Sequence, residues 1–269
     1  MGAAPDRLPR GLDADTGRPS APAPQPSPAP GDRLPPLWTA HDVLTALALL
    51  GAIAIYLLWP ELDLRVSQAL HTPGQGFADG ALPWVQWSYH QSPWVGRGLL
   101  LGVFIAWLAA RLGWRAISPA RRAAAGVALC TALLGPGLLI EGVFKPELQR
   151  PRPVQTADFG GSQPYHPPLR PCWACTSHHS FVSSHAAAGF WLMSWGLLAA
   201  PAWRRRWFAI GLACGAVIGW GRMLQGGHYL GDVVFSFFTV WASGQVVLAA
   251  WRWRLARRAR AAGGGHRSR

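Results

Sequence analysis

Three short stretches of this 269-residue chain carry side chains suited to handling phosphate. KPELQRPRP holds Lys145, the only lysine, followed by Arg150, Arg152 and Pro153. SFVSSHAA holds Ser183, Ser184 and His185, and GWGRMLQGGHYLGD places Arg222, His228 and Asp232 around a Gly-Gly turn. A phosphoryl group in transfer spreads negative charge over its equatorial oxygens, and fixed cations stabilise that charge. Lys145, Arg152 and Arg222 could supply them, since Arg grips two oxygens at once and Lys is a compact point charge. The first-turn amides of a helix opening at Ser183 would add an anion site. His228 and Asp232 are four apart, so on a helix they share a face. The carboxylate can then hold one ring N–H while the other nitrogen attacks phosphorus, and His185 can protonate the departing alkoxide. Taken singly, each stretch has an ordinary explanation as headgroup cations, a helix cap or a loop histidine. Their joint use depends on elements that bring them to one place.

Those elements are visible as apolar runs. Residues 43–59, 123–140, 186–203 and 233–251 are each 17 to 19 residues long without a charge. Two shorter runs cover 98–110, extending back to Trp94, and 207–221. A helix crosses the hydrocarbon core with roughly 20 mainly apolar residues, about 17 being tolerated. The pattern predicts an all-α polytopic membrane protein, a bundle of six transmembrane helices. Composition agrees: 50% of residues are hydrophobic and 14% charged, against a charged share of about 25% in soluble domains. The formal charge of +13 does not indicate nucleic acid, because the arginines cluster between apolar runs and not along one polar face. No internal repeat is present.

Arginine placement orients the bundle. Segment 111–122 carries four, 204–206 three, and the chain from Trp251 onward seven, all on one side of a six-helix zigzag. The positive-inside rule makes that side cytoplasmic, with both termini, and Trp38, Trp59, Trp114, Trp203, Trp207, Trp251 and Trp253 lie near helix ends as interfacial anchors. The 36 residues between His185 and Arg222 suffice for one helical hairpin, so these motifs return to the same, outer face, which Lys145 reaches from the third helix. The expected organisation is a disordered Pro-rich cytoplasmic tail at 1–37, a six-helix domain at 38–252 and a basic cytoplasmic tail at 253–269. No signal peptide is expected, since the first apolar run begins near Val43 and is long enough to span.

The ordered set Lys145-x6-Arg152-Pro153, Ser183-Ser184-His185 and Arg222-x5-His228-x3-Asp232 resembles the type 2 phosphatidic acid phosphatase superfamily, whose pattern reads K-x6-R-P, P-S-G-H and S-R-x5-H-x3-D. The motifs span 145–232 and the helical layout extends the resemblance over about 40–251. The resemblance implies phosphatase activity without metal or other cofactor, through a phosphohistidine. It implies His228 as nucleophile, Asp232 as its orienting partner and His185 as general acid. Lys145, Arg152, Ser183 and Arg222 would bind phosphate, with the Ser184 backbone amide also at the site. Val182 and Ser184 stand where the family has Pro and Gly, and Gly221 where it has Ser. A required positive φ at 184 would strain a non-Gly residue, and loss of a hydroxyl at 221 removes one ligand.

Weaker signals surround the motifs. Cys172 and Cys175, in C-W-A-C, favour a loop-pinning disulfide in an oxidising compartment over a zinc site completed by His178 and His179. Cys130 and Cys214 read as small core residues. Glu141 is one turn before Lys145 and would either position it or serve helix packing. Segment 81–94, with Tyr89 and His90, is too polar to span and reads as interfacial. The leading expectation is an integral phosphatase of the bacterial inner membrane, acting on a lipid phosphate or pyrophosphate of the outer leaflet. Its partners would be that lipid substrate and the bilayer, with no nucleic acid and no protein partner indicated. A lipid-to-lipid phosphotransferase would use the same site, and a non-catalytic lipid-binding or transport protein would be free to lose the catalytic residues, all of which are present. Phosphatidic acid, phosphatidylglycerol phosphate, polyprenyl pyrophosphate and lipid A all present a phosphate at the same depth.

Overall fold

A computed structural model describes residues 38–113, 117–172, 175 and 179–264. The 1–37 tail, Trp114 and His178 lie outside these residues. Among them every regular element is helical. Helix α1 (Ala40–Leu58) opens on a reciprocal cap: the Asp42 amide donates to Thr39 Oγ1 at 3.3 Å, and the Thr39 amide donates to Asp42 Oδ2 at 2.9 Å. Helix α2 (Leu62–Ala69) follows after a tight turn, and α3 covers Pro83–Arg111. Helix α4 (Pro119–Ala132) widens into a π-helical stretch, Leu133–Phe144, that contains Pro136, before a last turn, α5 (Lys145–Leu148). Proline lacks an amide and crowds the preceding turn, a local cause for widened turns. Helices α6 (Ser184–Phe190), α7 (Pro201–Leu224) and α8 (Leu230–Gly264) complete the order. Pro83, Pro119 and Pro201 each stand in a first turn, where no amide partner is lost.

Among the described residues, five helices are long and apolar enough to cross a membrane: Ala40–Leu58, Pro83–Arg111, Pro119–Gln155, Pro201–Leu224 and Leu230–Ala261. The fourth apolar run does not form a sixth of that length. It gives seven residues of α6 and then a 3₁₀ segment, Trp191–Gly196. The reason lies in its packing against α7. A Cβ on Gly189 would stand 2.7 Å from Gly215 Cα, one on Gly211 2.6 Å from the Met193 amide, and one on Gly196 2.8 Å from Trp207 Cβ. Backbone meets backbone along this seam, which the narrower 3₁₀ coil suits. From Pro83 on, segment 81–94 is the opening of α3, with Pro93 inside it, and the described residues after Trp251 continue α8 as helix to Gly264.

The core lies where α6 meets α8: Phe181, Val182, Phe190, Trp191, Phe235, Phe238 and Trp241 are all buried. Hydroxyls inside it satisfy themselves locally, Thr131 on Val127 O at 2.8 Å, Ser236 on Asp232 O at 2.9 Å and Ser243 on Thr239 O at 2.7 Å. By contrast, Leu44, Leu47, Leu50 and Leu57 of α1, and Leu99, Leu101 and Phe104 of α3, face outward. Apolar side chains covering the outside of a bundle whose core is already filled are the arrangement a bilayer demands.

Candidate active site

The site forms where α5, the start of α6, the end of α7 and the start of α8 converge. His228 sits in the α7–α8 turn. Gly226 there has φ +59°, and a Cβ on it would collide with Phe77 and Val154, so the sharp turn requires glycine. The Val154 amide donates to Gly226 O at 3.1 Å. That bond fastens the Arg152 loop to the histidine turn and so couples the first motif to the third.

Asp232, fully buried in the first turn of α8, is the hub. Its Oδ2 faces His228 Nδ1 at 3.4 Å and accepts the Tyr229 amide at 2.9 Å and the Ser180 hydroxyl. Sharing one oxygen among three donors explains the long histidine contact. Its Oδ1 accepts Arg150 Nη1 at 2.6 Å. Arg150 is itself buried: Nη2 pairs with Asp63 Oδ2 at 2.8 Å, Nε donates to His166 O at 2.8 Å, and the guanidinium lies 4.0 Å over the Tyr229 ring. Asp63 also accepts the Tyr56 hydroxyl at 3.0 Å and the Gly231 amide at 2.7 Å. Thus one buried cation sits between two buried carboxylates, from α2 and α8. Neither Arg150 nor Asp63 was assigned a role from sequence; Asp63 is 169 residues from Asp232, and nothing local marks it.

The remaining candidate residues gather around Tyr89 and Glu141. His185 is stacked on Tyr89 of α3, ring centroids 5.6 Å apart, and Arg222 holds its guanidinium 4.5 Å over the same ring. Arg222 Nη1 also donates to Gln225 Oε1. His185 lies within electrostatic reach of Arg222, His228, Lys145 and Arg152, so the three motifs do converge. Arg152, Arg222, Tyr89, Gln86 and Gln225 line a cleft of about 390 Å³. Lys145 Nζ is 2.7 Å from Glu141 Oε1, the same oxygen that the Ser184 hydroxyl reaches. Of the serines expected at phosphate, Ser183 is buried and its Oγ accepts the Ala186 amide at 3.4 Å as the N-cap of α6; the Ser184 hydroxyl is engaged with Glu141. Ser184 is helical and Gly is not required there. A Cβ on Gly221 would lie 3.2 Å from Ser88 Oγ, so a hydroxyl from α3 stands near the missing serine.

Electrostatics at the turn favour a nucleophile. Burial first, with the Arg222 and Arg152 charges, holds the His228 imidazole down at about 4 against the pull of Asp232. A neutral ring with Nδ1 turned to a carboxylate leaves Nε2 free to attack. Cys172 and Cys175 are disulfide-bonded, Cα–Cα 5.3 Å, and His179 Nδ1 lies 3.2 Å from Lys145 O, placing that loop beside the lysine. Among the described residues no cluster of His, Cys, Asp and Glu could hold a metal ion.

The family model of the PAP2 superfamily matches residues 125–256. A relative named Lipid A 4'-phosphatase, from Francisella tularensis subsp. novicida (strain U112), is 31% identical over 218 residues, 78% of this chain and 95% of that protein. The chain belongs to the PAP2 superfamily. A second Lipid A 4'-phosphatase, from Rhizobium leguminosarum, is 41% identical over 125 residues, covering 46% of this chain and 52% of the relative. A third, from Rhizobium etli (strain ATCC 51251 / DSM 11541 / JCM 21823 / NBRC 15573 / CFN 42), is 36% identical over 124 residues, covering 46% and 47%. No solved structure matches. The chain is a membrane phosphatase of this superfamily. The PAP2 match takes in all three motifs, whereas α1, α2 and α3 lie outside it and still contribute Tyr56, Asp63 and Tyr89 to the site.

Proposed function

We propose that this PAP2 phosphatase removes a phosphate from lipid A in the outer leaflet of the inner membrane, through a phosphohistidine at His228. The observation that carries the reading is the buried His228–Asp232 pair directly after Gly227, which lines a cleft together with Arg152 and Arg222, in a chain similar over most of its length to a Lipid A 4'-phosphatase. His228 Nε2 attacks phosphorus as the ester P–O bond breaks; His185, which burial and then the Arg222 charge hold down at about 3 in the free site, takes up a proton as the phosphate anion offsets those cations and gives it to the leaving sugar oxygen. Asp232 keeps the Nδ1 proton and stabilises the charge on the ring. Water, deprotonated by His185, then displaces the imidazole and releases inorganic phosphate. Lys145, Arg152 and Arg222 neutralise the equatorial oxygens, with Glu141 positioning Lys145 and Tyr89 bracing both Arg222 and His185. Those cations occupy the place a divalent ion takes in other phosphotransferases, so turnover is expected without one. The outer-leaflet assignment follows from the arginines at 111–122, 204–206 and beyond Trp251, at the opposite helix ends from the site.

The test is phosphate release by the purified chain from lipid A, phosphatidic acid, phosphatidylglycerol phosphate and polyprenyl pyrophosphate, each with and without chelator. Release from lipid A ahead of the others, unaffected by chelator, is expected. Preference for another lipid overturns the substrate, and loss restored by zinc overturns the mechanism.

A further inference from the structure

A second cavity, of about 280 Å³, lies at the other end of the bundle, among the start of α1, the end of the 3₁₀ segment, the start of α7 and the second half of α8. Measured along α8, Gln245 is about 20 Å from Asp232, so this is not an extension of the catalytic cleft. Its walls are mainly apolar, with Met193, Leu197, Phe208 and Trp241 among them. Its polar end is built on Asp42, which accepts Arg204 Nη2 at 2.7 Å and Gln245 Nε2 at 2.8 Å.

That cluster is incompletely satisfied. Arg204 Nη1, Gln245 Oε1 and Ser194 Oγ are buried with no hydrogen-bond partner among the described residues, and Ser194 and Gln245 are 1% and 8% exposed. Buried polar atoms normally find partners, and these three orphans, with Trp241 Nε1 as a fourth in the same lining, mark where a ligand's polar atoms belong. Charge fixes its sign. Among the described residues lining the cavity, Asp42 is the one carboxylate, against Arg204 and Arg205. Arg252, within electrostatic range of Arg204, has Nε and Nη2 buried without a partner.

We propose that this cavity binds one anionic lipid, its phosphate on the free edge of Arg204 and Arg205, a headgroup hydroxyl donated to Gln245 Oε1, and an acyl segment among the apolar walls. A free anion would leave those walls uncovered and a zwitterionic choline headgroup would offer Gln245 no donor, so a hydroxylated phosphate headgroup fits best.

The experiment is native mass spectrometry of the full chain released from detergent after incubation with phosphatidylglycerol or phosphatidylcholine. Wild type should retain one phosphatidylglycerol, hold phosphatidylcholine at least tenfold less, and keep its lipid when millimolar inorganic phosphate is added. Ser194→Leu, which fills the cavity, and Arg205→Gln, which removes only an exposed cation, should each cut retention about tenfold while melting close to wild type; His228→Ala should retain lipid as wild type does. Displacement by phosphate alone, equal retention of both lipids, undiminished retention in Ser194→Leu and Arg205→Gln, or retention that appears only after deletion of residues 1–34 would each overturn the proposal, the last by making the N-terminal tail the occupant.

Discussion

Replacing Arg150 with Met tests whether the buried cation holds the site together. The change keeps much of the side-chain volume but leaves Asp63 and Asp232, both fully buried, without their shared partner. Breaking a buried ion pair by removing one member costs about 3–5 kcal/mol, because the surviving charge is stranded. For a chain of this size that corresponds to a fall in melting temperature of about 6–20 °C. Asp63→Asn should be the compensating change. It removes one stranded carboxylate, so the double variant should recover about 1–3 kcal/mol of the loss, a coupling typical of residues in one network. The deficit should also depend on pH. Burial already pushes the Asp63 carboxyl up, against the pull of Arg150; without the arginine its folded pKa stands further above the unfolded value of about 3.9. A carboxylate raised in the folded state binds more protons there, so stability is lost as pH rises from about 4 through the folded value and regained on acidification. Turnover should fall by about 100-fold or more, since Asp232 would no longer be held against His228. Thermal melts in detergent at pH 5 and 8, for wild type, both single variants and the double variant, supply the cycle. An Arg150→Met protein that melts with wild type, or an Asp63→Asn change that adds to its loss, would refute the shared-cation account.

The two histidines should separate by leaving group: His228→Ala abolishes turnover of alkyl and activated aryl phosphates alike, while His185→Ala damages alkyl esters far more than aryl ones, because an acid matters least where the leaving group is stable. Equal losses for both esters in His185→Ala would remove the acid assignment. With the His228 imidazole held at about 4, kcat/KM should keep its nucleophile-dependent activity down to about pH 4 and lose it below as the ring protonates; an acidic limb near 6.5, the ordinary value, would contradict the burial argument. A reporter active only outside the cytoplasm should work when fused after Asp158 and fail after Arg205, and the reverse pattern would move the site to the cytoplasmic face.

The parts legible in the sequence are those that act over short range. His228 and Asp232 advertise their pairing by a four-residue spacing, and Lys145 and Arg152 theirs by position at the end of an apolar run. The run at 186–203 has the composition of a span but not its helical length, because composition reports burial and not how closely a neighbour's backbone approaches. Segment 81–94 looked interfacial because Gln86, Ser88 and His90 are polar, yet it is the beginning of α3, and Ser88 packs beside Gly221. Arg150 stood in plain view two residues before Arg152, but its role depends on Asp63, and a pair closed only by tertiary folding leaves no pattern along the chain. Gly211, Gly215 and Gly219 recur every four residues; which element each meets is known only from the structure, where Gly219 faces Val233 and the other two face the α6 segment.

That glycine seam bears on how a bulky lipid enters. Gly215 lies against the Phe190 ring and Gly211 against the Met193 backbone, with no room for even a methyl group, so α6 and α7 are seated too closely to slide past one another freely. His185 at one end of α6 and Arg222 at the end of α7 therefore form a fixed jaw. Opposite stands α3, which exposes Leu99, Leu101, Phe104 and Ile105 and touches the pair through the Tyr89 ring. The Tyr89 ring is thus a single contact through which any displacement of α3 would reach both His185 and Arg222.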